Sequence, residues 1–413
     1  MTAPTPGIDG PRAWAVTAAA FLAMFTVFGV AYGFAAFLAP ISTELGSSRA
    51  ATAAVFSLTT FLFFALGAVS GAAVDRVGPR KVLLVGALAL GLGLVVTSRA
   101  TSLWQAALGH GLGVGVGVAC GYVPLVAVVG AWFDRRRTVA VGVAVSGIGA
   151  GTLVGAPVGA ALIDAVGWRD AYLVLAAVAV AVLLGCAAVL GPAPVASGSG
   201  PVPPLRPRLR TPAFRRLYGS QVLLTVVLFV PFVHLPAYAA TTGAGTVASA
   251  ALVGVIGAAS IVGRLALGGL ADRLGVVRTY QGCFVAMTAS YALWLGVPGY
   301  ARLVVFAVVL GVGYGGFVAL GPAVAAQTFG VQGLGGLLGV LYTSAAVGSA
   351  LGPPVAGALI EARGFTVVAV LGLVIGAAAV GVVLMIRPPP AAAPDDRTGQ
   401  SSGAPASGPR VAS

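Results

Sequence analysis

The sequence IVGRLALGGLADRLG, residues 261–275, places Arg264 in an apolar run that begins near Val247 and reaches its first acid only at Asp272, eight residues further on. At ~1.5 Å per helical residue, that spacing sets the guanidinium roughly 12 Å inside a bilayer whose hydrocarbon core is ~30 Å thick. A charge at that depth costs ~2.5 kcal/mol or more, and no acid lies within helical reach to neutralise it. A bound anion would neutralise it. The competing role is snorkelling, in which the aliphatic stem returns the charge to the headgroups. Every acid of the sequence falls at a span end, loop or tail, so Arg264 is the one fixed charge at depth.

The chain has two histidines. His234, in VPFVHLPAYA near the outer end of its span, lies between Pro231 and Pro236, which are expected to break the helix and free backbone groups toward a cavity. It is the first candidate to carry a proton, since imidazole changes charge near neutral pH; a structural hydrogen bond is the alternative. His110, in ALGHGLG, is the second candidate and reads more simply as a helix-packing histidine among glycines. No nucleophile and base, metal cluster or phosphate loop can be assembled, so neither an enzyme nor a cofactor is expected. Cys120, Cys186 and Cys283 fall far apart within spans, which argues against a disulfide framework or metal site.

These residues are carried by an all-α membrane protein. Of 413 residues 59% are hydrophobic and 8% charged, against ~25% charged in a soluble domain, so lipid must cover the surface. Apolar runs between charged or Pro/Gly breaks give twelve spans: 14–38, 50–73, 81–98, 103–131, 139–163, 169–191, 217–240, 247–271, 279–297, 302–327, 334–360 and 366–386. The first run is too long for a signal-peptide core and lacks a small-residue cleavage pattern. With this topology, 17 Lys and Arg fall on the side of the N-terminus and five on the other. The first side is therefore expected to be cytoplasmic, with both termini there, in a multi-pass protein of the inner (plasma) membrane. The net charge of +13 then reflects topology and contact with anionic lipid, not a nucleic-acid partner.

The expected organisation is a cytoplasmic N-terminus (1–13), a six-helix bundle (14–191), a Pro/Gly/Ser/Arg linker (192–216), a second six-helix bundle (217–387) and a disordered cytoplasmic tail (388–413). An internal repeat supports two pseudo-symmetric halves. GAAVDRVG at 71–78 recurs as GGLADRLG at 268–275, and ALIDAVG at 161–167 as ALIEARG at 358–364, both displaced by 197 residues. In the same register Gly151, Gly155 and Pro157 match Gly348, Gly352 and Pro354, whereas Arg264 falls on Gly67, His110 on Ala307 and His234 on Phe37. Features kept in both halves are read as architecture, and a costly residue present in one half as meeting an asymmetric substrate.

The repeated G-x-x-x-D-R-x-G and the Gly/Pro pattern of span 5 resemble the major facilitator superfamily over residues ~10 to ~387. The resemblance implies that Gly71, Asp75, Arg76, Gly78 and Arg80, with Asp272 and Arg273, form a gating loop; the simpler reading is that the charges mark the membrane edge. WFDRRRTVAVGVAVSG at 132–147 is similar to the signature of the monocarboxylate transporters, with Trp132, Phe133, Arg135, Arg136, Ala140, Gly142, Ala144, Ser146 and Gly147 matching. The family's other signature is partly met by DGPRAW at 9–14, where Asp9, Gly10, Ala13 and Trp14 fit and Pro11 and Arg12 do not. The chain thus resembles a bacterial relative of the monocarboxylate and oxalate/formate carriers.

From that resemblance, Arg264 would bind the carboxylate, and Tyr122 (ACGYVP) and Tyr314 (GVGYGG) would donate hydrogen bonds to it; otherwise the tyrosines are interface anchors. Trp14, Trp104, Trp132 and Trp168 lie at span ends and read as interfacial belt residues. Tyr32, Ser260 and His234 complete the candidate substrate-binding residues; many animal members carry an Asp where this chain has Ser260 and a Lys where it has Tyr32, and residues 341–352 lack the second cation of the oxalate exchangers. One buried cation matches a monoanion better than a dianion.

The expected function is secondary transport of a small monocarboxylate such as lactate or pyruvate. It would be coupled to protons and driven by alternating access, with residues ~14–191 rocking against ~217–387. Its partners would be the acid anion, protons and membrane lipid, and it would work as a monomer. The rivals are an exporter of amphipathic compounds, an oxalate/formate-type exchanger, and a non-transporting membrane sensor.

Overall fold

The computed structural model describes residues 8–133, 136–191, 205–295, 299–330 and 334–386. Among these residues the secondary structure is entirely helical, as lipid requires of an open chain whose backbone groups must pair within each segment. The helices are α1 (Pro11–Glu44), α2 (Arg49–Val77), α3 (Pro79–Ser98), α4 (Leu103–Ala131), α5 (137–166), α6 (168–189), α7 (Pro212–Ala240), α8 (Thr246–Leu274), α9 (276–294), α10 (Tyr300–Phe329), α11 (Leu334–Arg363) and α12 (Phe365–Leu384). Ten continuous stretches are long and apolar enough to cross a membrane. One of them, Arg137–Val189, has 53 residues, or ~80 Å of rise, too much for one crossing; it divides at Gly167, whose φ is 80°. Val276–Ser290 is prolonged by a 3-10 turn, Tyr291–Trp294, into the run called α9. Each of these runs overlaps one of the spans read from the sequence, and residues 296 and 297 of the ninth span lie outside the described residues.

Local chemistry sets the helix starts. Pro11, Pro79 and Pro212 occupy first-turn positions that need no N–H partner. The Ser48 and Thr211 hydroxyls accept from the amides of Ala51 and Phe214, capping α2 and α7.

The internal repeat reappears in three dimensions. Gly78 and Gly275, with φ of 83° and 89°, end α2 and α8, and Gly167 and Gly364, with φ of 80° and 79°, end α5 and α11. Only glycine adopts this left-handed region without strain. The packing repeats as well. A Cβ on Gly151 or Gly155 of α5 would overlap the Phe25 and Gly29 carbonyls of α1, and one on Gly348 or Gly352 of α11 would overlap Thr225 and Val226 of α7. Small residues here bring helix backbones together, which is how helices associate where lipid offers no hydrophobic drive.

The first six helices meet the last six along three seams: α2 with α11, α5 with α8, and α1 with the second part of α7. At the end carrying Arg49, the Arg49 amide donates to the Glu361 carboxylate, and Gly357 lies against the Ala50 backbone. At that same end Glu44 of α1 pairs with Arg169 of α6 at 2.8 Å and accepts from the Trp168 indole. The opposite, basic end carries exposed Arg76, Arg80 and Arg273. Of the four expected belt tryptophans, Trp104 is exposed, whereas Trp132 and Trp168 are buried. Trp132 faces the Arg12 guanidinium at 5.8 Å, and Trp168 meets Glu44 and Tyr172, so these two belong to helix-end packing and not to the lipid interface.

Gly155→Leu and Gly352→Leu should each lower the thermal unfolding midpoint in detergent, since overpacking costs ~1–3 kcal/mol where a backbone cannot retreat. Gly142→Ala, which points into open space, should leave the midpoint unchanged.

Candidate functional site

Arg264 stands where α8 touches two helices. On one side a Cβ on Gly315 of α10 would overlap the Ser260 carbonyl and come within 3.0 Å of the Arg264 amide, so α8 and α10 are in backbone contact. On the other side Gly257 faces Gly149 and Leu153 of α5. The Arg264 side chain crosses to α5, and its Nη1 donates to the Val145 carbonyl at 2.7 Å. Its Nε and Nη2, which share the other edge of the guanidinium, are buried and have no hydrogen-bond partner among the described residues. One edge of the fork is thus anchored, and the donors of the other have no acceptor among the described residues.

Beside it, a cavity lies between the two sets of helices. It contains about 730 Å³ of space between atoms, mouth included, of which about 70 Å³ admits the centres of water-sized molecules. Its walls are rich in rings: Phe28, Phe63 and Phe64 from the first six helices, Phe229 and Phe317 from the last six, and Tyr32, Tyr122, Tyr314 and Tyr342. Polar groups gather on α7 and α11, where Ser344 donates to the Gln221 carbonyl oxygen at 3.1 Å and Gln221 donates to the Tyr280 hydroxyl at 2.9 Å. The lining reaches Gly321 and Pro322 of α10 and Leu338 of α11, toward the basic end.

The structure brings three of the sequence candidates together. Tyr32, Tyr122 and Tyr314 all line the cavity, together with Tyr342. Phe232 packs against Tyr32, tilted at a ring-centroid distance of 4.6 Å, and against Tyr314, edge-on at 5.6 Å. Arg264 itself is not among the lining side chains, because its reach is taken up by Val145.

The other candidates sit elsewhere. The Ser260 hydroxyl is buried and donates to the Gly257 carbonyl at 2.7 Å. The break expected around His234 is not found there. Pro231 occupies a first-turn position and Pro236 remains inside the helix, so the lapse falls at Phe229. His234 is fully buried, donates from Nε2 to the Pro353 carbonyl at 2.8 Å, and leaves Nδ1 unpartnered among the described residues; it does not line the cavity. His110 is likewise buried, in a π-helical turn (Ala107–Val114), with Nδ1 3.2 Å from the Thr59 hydroxyl and its ring 4.7 Å from Phe34. Of the loop motif, Gly71 is half-buried, Gly78 makes the turn, and Arg76, Arg80 and Arg273 are exposed; the Asp75 and Asp272 side chains lie outside the described residues, as does Arg135.

The two signature stretches touch each other. The Asp9 amide donates to the Trp132 carbonyl at 3.2 Å, the Arg136 amide to the Asp9 carboxylate at 3.4 Å, and Trp14 meets Phe133 edge-on at 5.1 Å. Ala140, Ala144 and Gly147 of the second signature form the buried seam of α5 with α1. Gln221, Ser344, Phe64, Phe317 and Tyr342 were not singled out in the sequence; the polar pair was visible as polar residues within apolar spans, the rings carried no comparable signal.

A bundle of membrane-crossing helices closing around a central cavity near a half-buried arginine is the architecture of a transporter. The sequence matches the Major Facilitator Superfamily over residues 20–301 and 267–409. It is 34% identical over 375 residues to monocarboxylate transporter 11 of Mus musculus, covering 86% of this chain and 83% of that protein. It is 29% identical to an MFS transporter of Aspergillus flavus (87% and 82% covered) and 29% identical to monocarboxylate transporter 3 of Rattus norvegicus (86% and 75% covered). The chain belongs to the major facilitator superfamily, as a monocarboxylate transporter-like member.

With the native cysteines buried, Leu338→Cys should react readily with a charged thiol reagent that enters the cavity. Phe232→Cys, at a fully buried position, should stay unlabelled until the protein unfolds. Equal labelling would contradict the cavity's extent.

Proposed function

We propose that this transporter moves a monocarboxylate, of which lactate and pyruvate are the simplest, across the plasma membrane by alternating access, with its termini cytoplasmic and its transport coupled to protons. The observation that carries the reading is the free edge of Arg264, two buried donors without a hydrogen-bond partner among the described residues. The relatives named monocarboxylate transporters support the same class.

In this reading the basic end is cytoplasmic, the Arg49–Glu361 contact closes the outer end, and the cavity faces inward. Residues 14–191 would rock against 217–387 about Arg264, with the Asp75 and Asp272 loops holding the inner end in the opposite state. In this reading the monomer would be the working unit. Symport of a monoanion with one proton is electroneutral and responds to a pH gradient, hardly to membrane potential. His234 is one route for that proton. Its burial away from the cavity and its bond to Pro353 favour the other, in which the substrate enters as the undissociated acid.

Arg264→Lys keeps the charge but cannot bond Val145 and both carboxylate oxygens at once. Loss of a charge-assisted pair, ~1.5–3 kcal/mol, should raise the KM for acid uptake by roughly 10–100-fold; uptake near wild type with Lys or Gln would overturn the proposal. If the acid carries its own proton, His234→Gln should keep the wild-type dependence of uptake on external pH, and a flattened profile would return the proton to His234.

A further inference from the structure

We infer that the acid this site is shaped for carries an extended apolar body, an aryl ring or its equivalent, and that three-carbon acids are poor substrates by comparison. The inference rests on the carboxylate reading and concerns what lies beyond the carboxylate. The cavity is tall. Its lining on α7 runs from Gln221 to Phe229, on α10 from Tyr314 to Pro322, and on α11 from Leu338 to Ala345, which is ~10–12 Å of helix in each case. A three-carbon acid, with ~1.5 Å per C–C bond, spans ~4 Å and would occupy only the end near Arg264.

The walls agree with the height. Phe28 and Phe64 from the first six helices and Phe229 and Phe317 from the last six line the space, and none of the described lining residues is charged. Phe64 and Phe317 are only half-buried, so part of each ring is open. A substrate ring would cover that area, and aromatic pairs add offset or edge-on attraction to the burial itself. The polar groups at the far wall make no competing demand. Gln221 is bonded at both ends of its amide, to Ser344 and Tyr280, and Thr225 donates to the Ser344 carbonyl at 3.0 Å. A second carboxylate there would meet no free cation among the described lining residues, so the long axis of the substrate is apolar and not that of a dicarboxylate.

The test compares phenylpyruvate with pyruvate in counterflow and in thermal-shift binding, using the full chain in liposomes and in detergent. Phenylpyruvate should have a KM at least ~10-fold below that of pyruvate, as expected for burying a ring. Phe64→Ala and Phe317→Ala should each move the ratio toward one by raising the phenylpyruvate KM, and Phe64→Leu, which keeps bulk, should do so less. Should Phe64→Ala fail to fold, Phe64→Leu and Phe317→Ala carry the comparison. Equal or better use of pyruvate by the wild type, or a ratio unmoved by the variants, overturns the inference while leaving carboxylate transport in place. If neither acid shifts the melting point or is carried, and an uncharged aryl compound is bound equally by wild type and Arg264→Lys, the carboxylate reading falls and the inference with it.

Discussion

The hydrogen bond from Arg264 Nη1 to the Val145 carbonyl is the contact on which the site depends. Without it a guanidinium at this depth would be drawn along its stem toward the headgroups, and its fork would point nowhere in particular. With it the guanidinium bridges α8 and α5, which belong to different sets of six helices. The bond needs the two backbones close together, and Gly149, Gly254 and Gly257 provide that approach: a Cβ on any of them would run into the facing helix. The remaining donors, Nε and Nη2, stay buried and unmatched. Leaving charged donors unpaired costs free energy, a cost that an anion at the same edge would remove. An interaction that joins the two sets of helices and improves on binding is what the proposed alternating-access cycle would require of its central site.

The scaffold around this contact is symmetric and the contact is not. Glycine turns with positive φ fall at the same repeat positions at the ends of α2 and α8 and of α5 and α11, and the α1–α5 seam has its counterpart in α7–α11. The position equivalent to Arg264 is Gly67, where a Cβ would already lie 3.0 Å from Val123. An arginine there would have no room, so only one half presents a cation. The aromatic lining, in contrast, draws on both sets of helices.

How much of this could be read from the sequence depended on the kind of constraint. Lipid forces long apolar runs, and a tight turn forces glycine, so the spans and the repeat were legible, down to Gly78 and Gly275. Arg264 was legible because a lone charge in such a run is costly. Its attachment to Val145 was not, since that depends on how α5 and α8 dock, and nothing local to either helix encodes it. The prolines beside His234 misled for a similar reason: Pro231 falls in a first turn, where the helix tolerates it, and Pro353 of α11 supplies an acceptor that the local sequence does not reveal. Phe64 and Phe317 look like any other apolar residues until neighbouring helices fix which of them face the gap.

The most direct measurement is a structure of the transporter with a monocarboxylate bound. The account predicts the two carboxylate oxygens at hydrogen-bond distance, ~3 Å, from Nε and Nη2 of Arg264, with Nη1 still on the Val145 carbonyl and the Tyr32, Tyr122 and Tyr314 hydroxyls around the acid. A carboxylate bound elsewhere in the cavity, with the Nε and Nη2 edge still empty, would contradict it.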